Sequence, residues 1–127
     1  MDEPVLLTGA GGHVGGAVLE GLRDEYDWRL MYHSEPARQP DFPYTTGEVE
    51  DYDDVARAME GCGAVIHLAG DPRPSAPWDS VLANNIDGTH TMYEVAVDQG
   101  VETFVYASSN HAVGHFETDE RKPALYR

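Results

Sequence analysis

Thr8-Gly9-Ala10-Gly11-Gly12-His13-Val14-Gly15 is the stretch that decides the fold of this chain. Its glycines at positions 9, 12 and 15 have the spacing G-x-x-G-x-x-G, which predicts a tight turn between two regular elements. The apolar residues 4–8 before the turn predict a short buried strand. The residues after it predict a helix with one apolar face, formed by Val14, Ala17, Val18 and Leu22.

A strand, a glycine turn and a helix in this order are typical of sites that bind phosphate groups. Glycines let the backbone approach a pyrophosphate closely, and the start of the helix offers free N–H groups with a partial positive charge. An ordinary glycine-rich turn is the alternative interpretation, because many turns contain glycine. The strand and helix on either side favour the phosphate site.

The composition predicts a single domain over residues 1–127. Hydrophobic residues make up 41% of the chain, which argues against disorder. No apolar run approaches the roughly 20 residues that cross a membrane, and Met1-Asp2-Glu3-Pro4 does not resemble a signal peptide. One cysteine, Cys62, allows no internal disulfide. We therefore expect a cytoplasmic protein.

The charge of the chain is strongly acidic. Asp and Glu number 23 against 8 Lys and Arg, which gives a formal net charge of −15. Such a surface repels nucleic acids and anionic membranes, so neither is an expected partner. The acids are scattered along the chain rather than gathered in a tail. This pattern favours a halophilic protein over an acidic protein of low-salt origin.

The remaining sequence alternates predicted strands and helices. Strands are predicted at residues 4–8, 28–32, 43–46, 64–68 and 103–107. Tyr52, Val55, Ala56 and Met59 have helical spacing. Asp79 or Ser80 could cap a longer helix that ends at Gly100. Its predicted apolar stripe is Leu82, Ile86, Thr89, Tyr93 and Ala96. This order predicts an α/β fold with a doubly wound parallel sheet of the Rossmann type, whose glycine turn lies at the switch point.

Five segments in order resemble the extended short-chain dehydrogenases/reductases, the NAD-dependent epimerase/dehydratase family. The glycine turn is the first. Residues 65–70 (VIHLAG) are similar to the family's strand-four signature, and residues 85–89 (NIDGT) to its Asn-x-x-Gly-Thr motif. Glu48 stands where the family has an acid that contacts the adenine. Residues 107–111 (ASSNH) with Gly114 resemble the segment with the catalytic serine, in a version typical of uronate dehydrogenases and a haloarchaeal NAD-dependent glucose-6-phosphate dehydrogenase.

The resemblance implies a set of site residues. Those expected to bind the cofactor are Gly9, Gly11, Gly12, His13, Val14, Gly15, Tyr32, Glu48, Val49, Leu68, Ala69, Gly70 and Asn85. Ser109 is expected to orient the substrate, with Asn110 and His111 as further substrate contacts. Asn85 is expected to take part in a water-mediated proton relay. Without the resemblance, these four would be interpreted as ordinary turn, loop and helix residues. His111 and His115 have i, i+4 spacing but no third ligand, so no metal site is predicted.

The end of strand two departs from the family pattern. Relatives that prefer NAD usually have an acid there that hydrogen-bonds the adenosine ribose. This chain has Tyr32-His33-Ser34, with Glu35 further on. We still expect NAD, because no arginine lies nearby to hold a 2′-phosphate, and NADP stays an alternative. The predicted partners are thus a dinucleotide and a small sugar.

A second departure concerns the family's Tyr-x-x-x-Lys pair, which normally follows the serine. Tyr126 has no lysine four positions later. We therefore expect the N-terminal part of a family member, truncated after the fifth strand and inactive alone. Strand five would then form an exposed edge of the sheet. Such an edge favours self-association of the chain into a homo-oligomer.

The favoured function is an NAD-dependent dehydrogenase that oxidises the anomeric carbon of a sugar phosphate or a uronate to a lactone. The alternatives are a nucleotide-sugar epimerase or dehydratase, and a non-catalytic NAD(P)-binding module.

Overall fold

A five-stranded parallel sheet forms the centre of the molecule. The structure is a computed structural model that describes residues 3–109. The strands lie in the order β3-β2-β1-β4-β5, and every neighbouring pair is parallel. The strands are β1 (Val5–Thr8), β2 (Trp28–Tyr32), β3 (Tyr44–Thr46), β4 (Ala64–His67) and β5 (Thr103–Tyr106). The predicted doubly wound α/β fold is confirmed, and each predicted strand is present to within one residue at either end.

Helices cover both faces of the sheet. They are α1 (His13–Gly21), α2 (Tyr52–Met59), α3 (Trp78–Val81) and α4 (Gly88–Asp98), with a π-helical segment (Leu82–Asp87) between the last two. None of the helices in the part that the structure describes is long and apolar enough to cross a membrane.

The sheet separates two hydrophobic cores. On β1, Leu6 faces the core that contains residues of α2 and α4, while Leu7 faces the core next to α1. This alternation follows from the two-residue period of a strand that is buried on both faces. Because β1 and β4 are parallel neighbours, their carboxyl ends lie side by side, and Thr8 pairs with His67 there.

The predicted apolar face of α1 is wrong at three of its four residues. Val14 is 63% exposed, and Ala17 and Leu22 are exposed too. The inner face follows Gly15, which is buried, and the predicted Val18, which is half-buried and packs against the core next to α1. Gly15 gives no hydrophobic signal in the sequence, yet it makes the closest approach of α1 to the turn before it.

The predicted stripe of the long helix is wrong at two of its five residues, and its predicted cap is wrong. Ala96 is buried as predicted, and Leu82 and Thr89 are half-buried. Ile86 is 48% exposed and Tyr93 is 45% exposed, whereas the buried residues are Gly88, Thr91, Met92, Val95 and Ala96. The π-helical segment changes the phase of the helix, so a stripe counted across it with an α-helical period includes the exposed residues Ile86 and Tyr93. The helix begins at Trp78 after Pro77, whose carbonyl accepts the N–H groups of residues 80 and 81.

Strand β5 is the edge of the sheet within residues 3–109, as predicted. Val105 is 49% exposed and Tyr106 is exposed. Phe104 departs from the predicted exposed face, because it is half-buried and its ring stacks on Tyr93 with a centroid distance of 4.0 Å. The exposed apolar surface of β5 is thus narrower than the sequence predicts.

Candidate functional site

A cavity of about 590 Å³ opens at the carboxyl ends of β1, β2 and β4. Three segments form most of its walls: the glycine turn, the residues from the end of β2 to Ala37, and the loop of residues 69–73 after β4. The other lining residues are Gly47, Val49, Ser80 and Asn84. Ligands of doubly wound sheets bind outside the carboxyl ends of the strands at the switch point. The cavity occupies that place in this sheet.

Two glycines of the turn are required by the backbone itself. Gly9 has φ +74°, and a Cβ atom there would lie 2.7 Å from the carbonyl carbon of Leu68. A Cβ atom on Gly15 would lie 2.2 Å from the carbonyl oxygen of Gly9. Only glycine therefore allows the turn to pass so close to both β4 and α1.

Gly11 and Gly12 have a different role, because they line the cavity. Gly12 is the N-cap residue of α1 and supplies no side chain to the first N–H groups. The first turn of α1 contains no acidic residue. These N–H groups and the positive end of the helix dipole thus suit an anion bound in the cavity.

A buried hydrogen-bond chain fixes the ends of β1 and β4 beneath the cavity. The Thr8 hydroxyl oxygen accepts the N–H groups of Leu68 at 3.2 Å and Ala69 at 3.1 Å. Its hydrogen is then donated to His67 Nδ1, 2.8 Å away. The protonated Nε2 of His67 donates in turn to Thr89 Oγ1 at 3.3 Å.

His67 is fully buried, and this burial lowers its pKa to about 4. The ring is therefore neutral near pH 7, as the hydrogen-bond chain requires. The sequence places His67 within the strand predicted at residues 64–68 and does not indicate this role. The available signal was a polar residue in each of two strands that are otherwise apolar, at paired positions in the sheet.

Two carboxylates are fixed by hydrogen bonds around the β2 end of the cavity. The Tyr44 hydroxyl donates to Glu35 at 3.0 Å, and this bond raises the pKa of Tyr44. The Glu48 carboxylate lies 2.8 Å from His33 Nδ1. Glu35 lines the cavity although it follows the end of β2 by three residues. Glu35 is thus a carboxylate close to the position where NAD-dependent relatives usually have an acid at the end of strand two.

The loop after β4 is clamped by the π-helical segment. Asn85 Oδ1 accepts the N–H of Asp71 at 2.7 Å, and its Nδ2 donates to the Asp71 carbonyl at 3.1 Å. The Asp71 carboxylate accepts hydrogen bonds from Arg73 and, at 2.6 Å, from Ser80. Arg73 and then Ser80 hold the pKa of Asp71 well below its usual range. Sequence analysis missed this cluster.

The structure places the predicted cofactor residues unequally. Those that line the cavity are Gly9, Gly11, Gly12, Tyr32, Val49, Ala69 and Gly70. The others are not among the lining residues: His13, Val14, Gly15, Glu48, Leu68 and Asn85. Ser109 follows β5 at the same end of the sheet. Asn110 and His111 lie outside the described residues.

Comparison with known proteins identifies relatives of similar sequence and structure. The chain is 58% identical over 134 residues to NAD-dependent glucose-6-phosphate dehydrogenase of Haloferax volcanii, with 100% of this chain and 51% of that protein covered. It is 37% identical over 107 residues to L-arabinose 1-dehydrogenase (NAD(P)(+)) of the same organism, with 84% of this chain and 41% of that protein covered. The chain thus spans about half the length of these relatives.

A solved structure gives the same fold. A variant of uronate dehydrogenase from Agrobacterium tumefaciens, complexed with NAD, matches with a TM-score of 0.76 and 31% identity. The match covers 86% of this chain and 42% of that one. The model of the family described as "NAD dependent epimerase/dehydratase family" matches residues 5–126. The chain therefore belongs to the NAD-dependent epimerase/dehydratase family.

Proposed function

We propose that residues 1–127 form the NAD-binding part of a sugar dehydrogenase that oxidises the anomeric carbon of a sugar phosphate or a uronate to a lactone. The observation that carries the proposal is the cavity at the switch point, with an uncapped helix N-terminus and backbone-required glycines at one wall. The identity of 58% to a glucose-6-phosphate dehydrogenase supports the choice of reaction class. The acidic surface, with a net charge of −15, supports function at high salt.

The residues present suit a dinucleotide along the length of the cavity. Gly11, Gly12 and the first turn of α1 would hold the pyrophosphate. Glu35 would lie beside the adenosine ribose, and Glu48, fixed by His33, would contact the adenine. The two carboxylates disfavour a 2′-phosphate by charge repulsion, which makes NAD the favoured cofactor over NADP.

Oxidation of the anomeric carbon requires the removal of a hydride from carbon and a proton from its hydroxyl group. Bound NAD supplies the hydride acceptor. Ser109 would hold the sugar hydroxyl, with Asn110 and His111 beside it. Asn85 would position the loop of residues 69–73 through Asp71, since both of its amide atoms bind the backbone there.

Proton removal needs a group that these 127 residues do not supply in the family's manner. They contain one lysine, Lys122, and no tyrosine precedes it by four positions. Loss of a positioned base costs about 10²–10⁴-fold in rate. This chain alone should therefore bind NAD and form no NADH. The same observation favours the second candidate, a non-catalytic NAD-binding module.

Calorimetry with two variants of Gly12 tests the binding site. A Cβ atom at Gly12 would have its nearest neighbour at 3.4 Å, an ordinary contact, so a side chain is compatible with the fold. Asp and Asn are both favourable N-cap residues. Gly12→Asp puts a negative charge where the pyrophosphate would lie, whereas Gly12→Asn has nearly the same shape without charge. Both side chains can accept the N–H groups that would bind the pyrophosphate, so we expect NAD binding to be weakened in the Asn variant and lost in the charged Asp variant.

Unchanged binding in Gly12→Asp would contradict the proposed site. The reaction is tested separately, by NADH formation from glucose 6-phosphate, glucuronate and galacturonate at high salt. Turnover of about 1–10³ per second, typical of enzymes, would show that another residue of this chain acts as the base. Binding without turnover would agree with the proposal.

A further inference from the structure

One cationic side chain lies in the wall of the cavity, in a chain with few cations. Arg73 is the one Lys or Arg among the described residues that line the cavity. The wall also contains the carboxylates of Glu35 and Asp71, so Arg73 is the main positive charge that a bound anion would meet there. Its side chain is 64% exposed and therefore accessible to a ligand.

Arg73 is held in a defined orientation. Its Nε donates to Asp71 Oδ1 at 2.9 Å, and its Nη2 donates to Asp71 Oδ2 at 2.5 Å. Both carboxylate oxygens thus bind one edge of the planar guanidinium group. Nη1, on the far side, makes no hydrogen bond within residues 3–109. Asp71 thus fixes the guanidinium group along its Nε–Nη2 edge, and the N–H donors on the other side stay available for a second anion.

Asp71 is itself anchored from the π-helical segment. Asn85 binds its backbone at both the N–H and the carbonyl, and Ser80 donates to its carboxylate. Asn84 Nδ2 binds the Ser80 carbonyl at 2.9 Å. Single π-helical turns are frequent at functional sites, because the extra residue redirects side chains. Here Asn85 of the π-helical segment and Ser80 of α3 support the loop that presents Arg73.

We propose that Arg73 binds a phosphate group in the cavity. This inference rests on the proposed function and adds a residue that the glycine turn alone does not supply. Two sources of phosphate share this chemistry: the pyrophosphate of the dinucleotide and the phosphate of a phosphorylated sugar. A planar guanidinium with two or more available donors suits either one.

The test compares Arg73→Gln with Arg57→Gln by calorimetry at constant salt. Arg57 is a matched control, because it also pairs with a carboxylate, Asp54 at 2.6 Å, but lies on α2 away from the cavity wall. The ligands are NAD, adenosine, glucose 6-phosphate and glucose, the two sugars being added to NAD-saturated protein. Arg73→Lys, which keeps the charge and loses the fork, should fall between wild type and Arg73→Gln.

If the dinucleotide is the source, Arg73→Gln weakens NAD binding by about tenfold or more and leaves adenosine binding equal to that of Arg57→Gln. If the sugar is the source, NAD binding is unchanged, and glucose 6-phosphate binding weakens by a similar factor while that of glucose does not. Arg73→Gln and Arg57→Gln with equal affinities for NAD and for glucose 6-phosphate would overturn the inference.

The proposed function is judged by a different comparison in the same experiment. Wild-type protein that binds NAD, and loses it in Gly12→Asp, supports the cofactor site whatever Arg73 does. Wild-type protein that does not bind NAD contradicts the proposed function and, with it, the inference about Arg73.

Discussion

Replacement of Gly15 by alanine tests the close contact between α1 and the glycine turn. A Cβ atom at Gly15 would lie 2.2 Å from the Gly9 carbonyl oxygen and 2.9 Å from the Ala10 Cα atom. Both neighbours are backbone atoms, so no rotamer change relieves the contact and α1 must move. Overpacking of this kind costs about 1–3 kcal/mol or more. The helix gains at most about 1 kcal/mol from the loss of a glycine.

Gly16→Ala is the matched control, because the nearest neighbour of its Cβ atom would be 3.9 Å away, at the Ala10 carbonyl oxygen. This variant should gain about 0.5–1 kcal/mol of stability. We expect Gly15→Ala to lose about 2 kcal/mol, which makes a difference of about 3 kcal/mol between the two. Denaturant unfolding followed by circular dichroism at fixed high salt measures both. Equal stabilities of Gly15→Ala and Gly16→Ala would refute the argued packing.

Three further predictions concern pH, cofactor choice and association. Because burial lowers the pKa of His67 from 6.5 to about 4, its contribution is present above pH 6.5 and is lost as the pH falls towards 4, by about 3 kcal/mol in total. Unfolding curves should show this slope, and His67→Gln should remove it. Glu35→Gln should strengthen NADP binding several-fold relative to NAD by removing a repulsive charge, whereas Glu25→Gln should not; equal ratios by calorimetry would argue against Glu35 as the selector. The wild-type chain should be stabilised by molar salt and should self-associate in sedimentation, and Val105→Lys on the β5 edge should reduce that association. A strictly monomeric wild type would contradict this.

The positions of the strands along the chain and the place of the glycine turn could be predicted from sequence because they depend on local signals. Short apolar runs separated by turns define parallel strands that are buried on both faces. Gly9, Gly12 and Gly15 have spacing that few other local structures need. These two patterns were enough to place a binding site at the glycine turn, whose residues Gly9, Gly11 and Gly12 line the cavity.

The helix faces could not be predicted in the same way. A π-helical turn depends on tertiary packing, and the sequence of residues 82–87 contains no signal for it. The buried positions of the helix after this turn were therefore counted with the wrong helical period. The inner face of α1 passes through Gly15, which a search for apolar residues does not count. The inner face of α1 is set by the close approach of Gly15 to Gly9, and the face of the long helix by the π-helical turn.

The polar clusters around the cavity depend on pairs of residues far apart in the chain. Thr8 and His67 are separated by 59 positions, and Asp71 and Asn85 by 14. Each residue alone has an ordinary interpretation as part of a strand, loop or helix. Their meeting requires the register of the sheet and the π-helical segment, which only the folded structure provides.

The central claim is that NAD lies in this cavity with its pyrophosphate at the start of α1. Titration of isotope-labelled protein with NAD, followed by NMR of the backbone amides, tests it most directly. We expect the largest, saturable shifts at residues 11–13 and 69–73, with smaller ones at 32–35, and we expect them to be lost in Gly12→Asp. Shifts confined to other surfaces, or unchanged shifts in that variant, would contradict it.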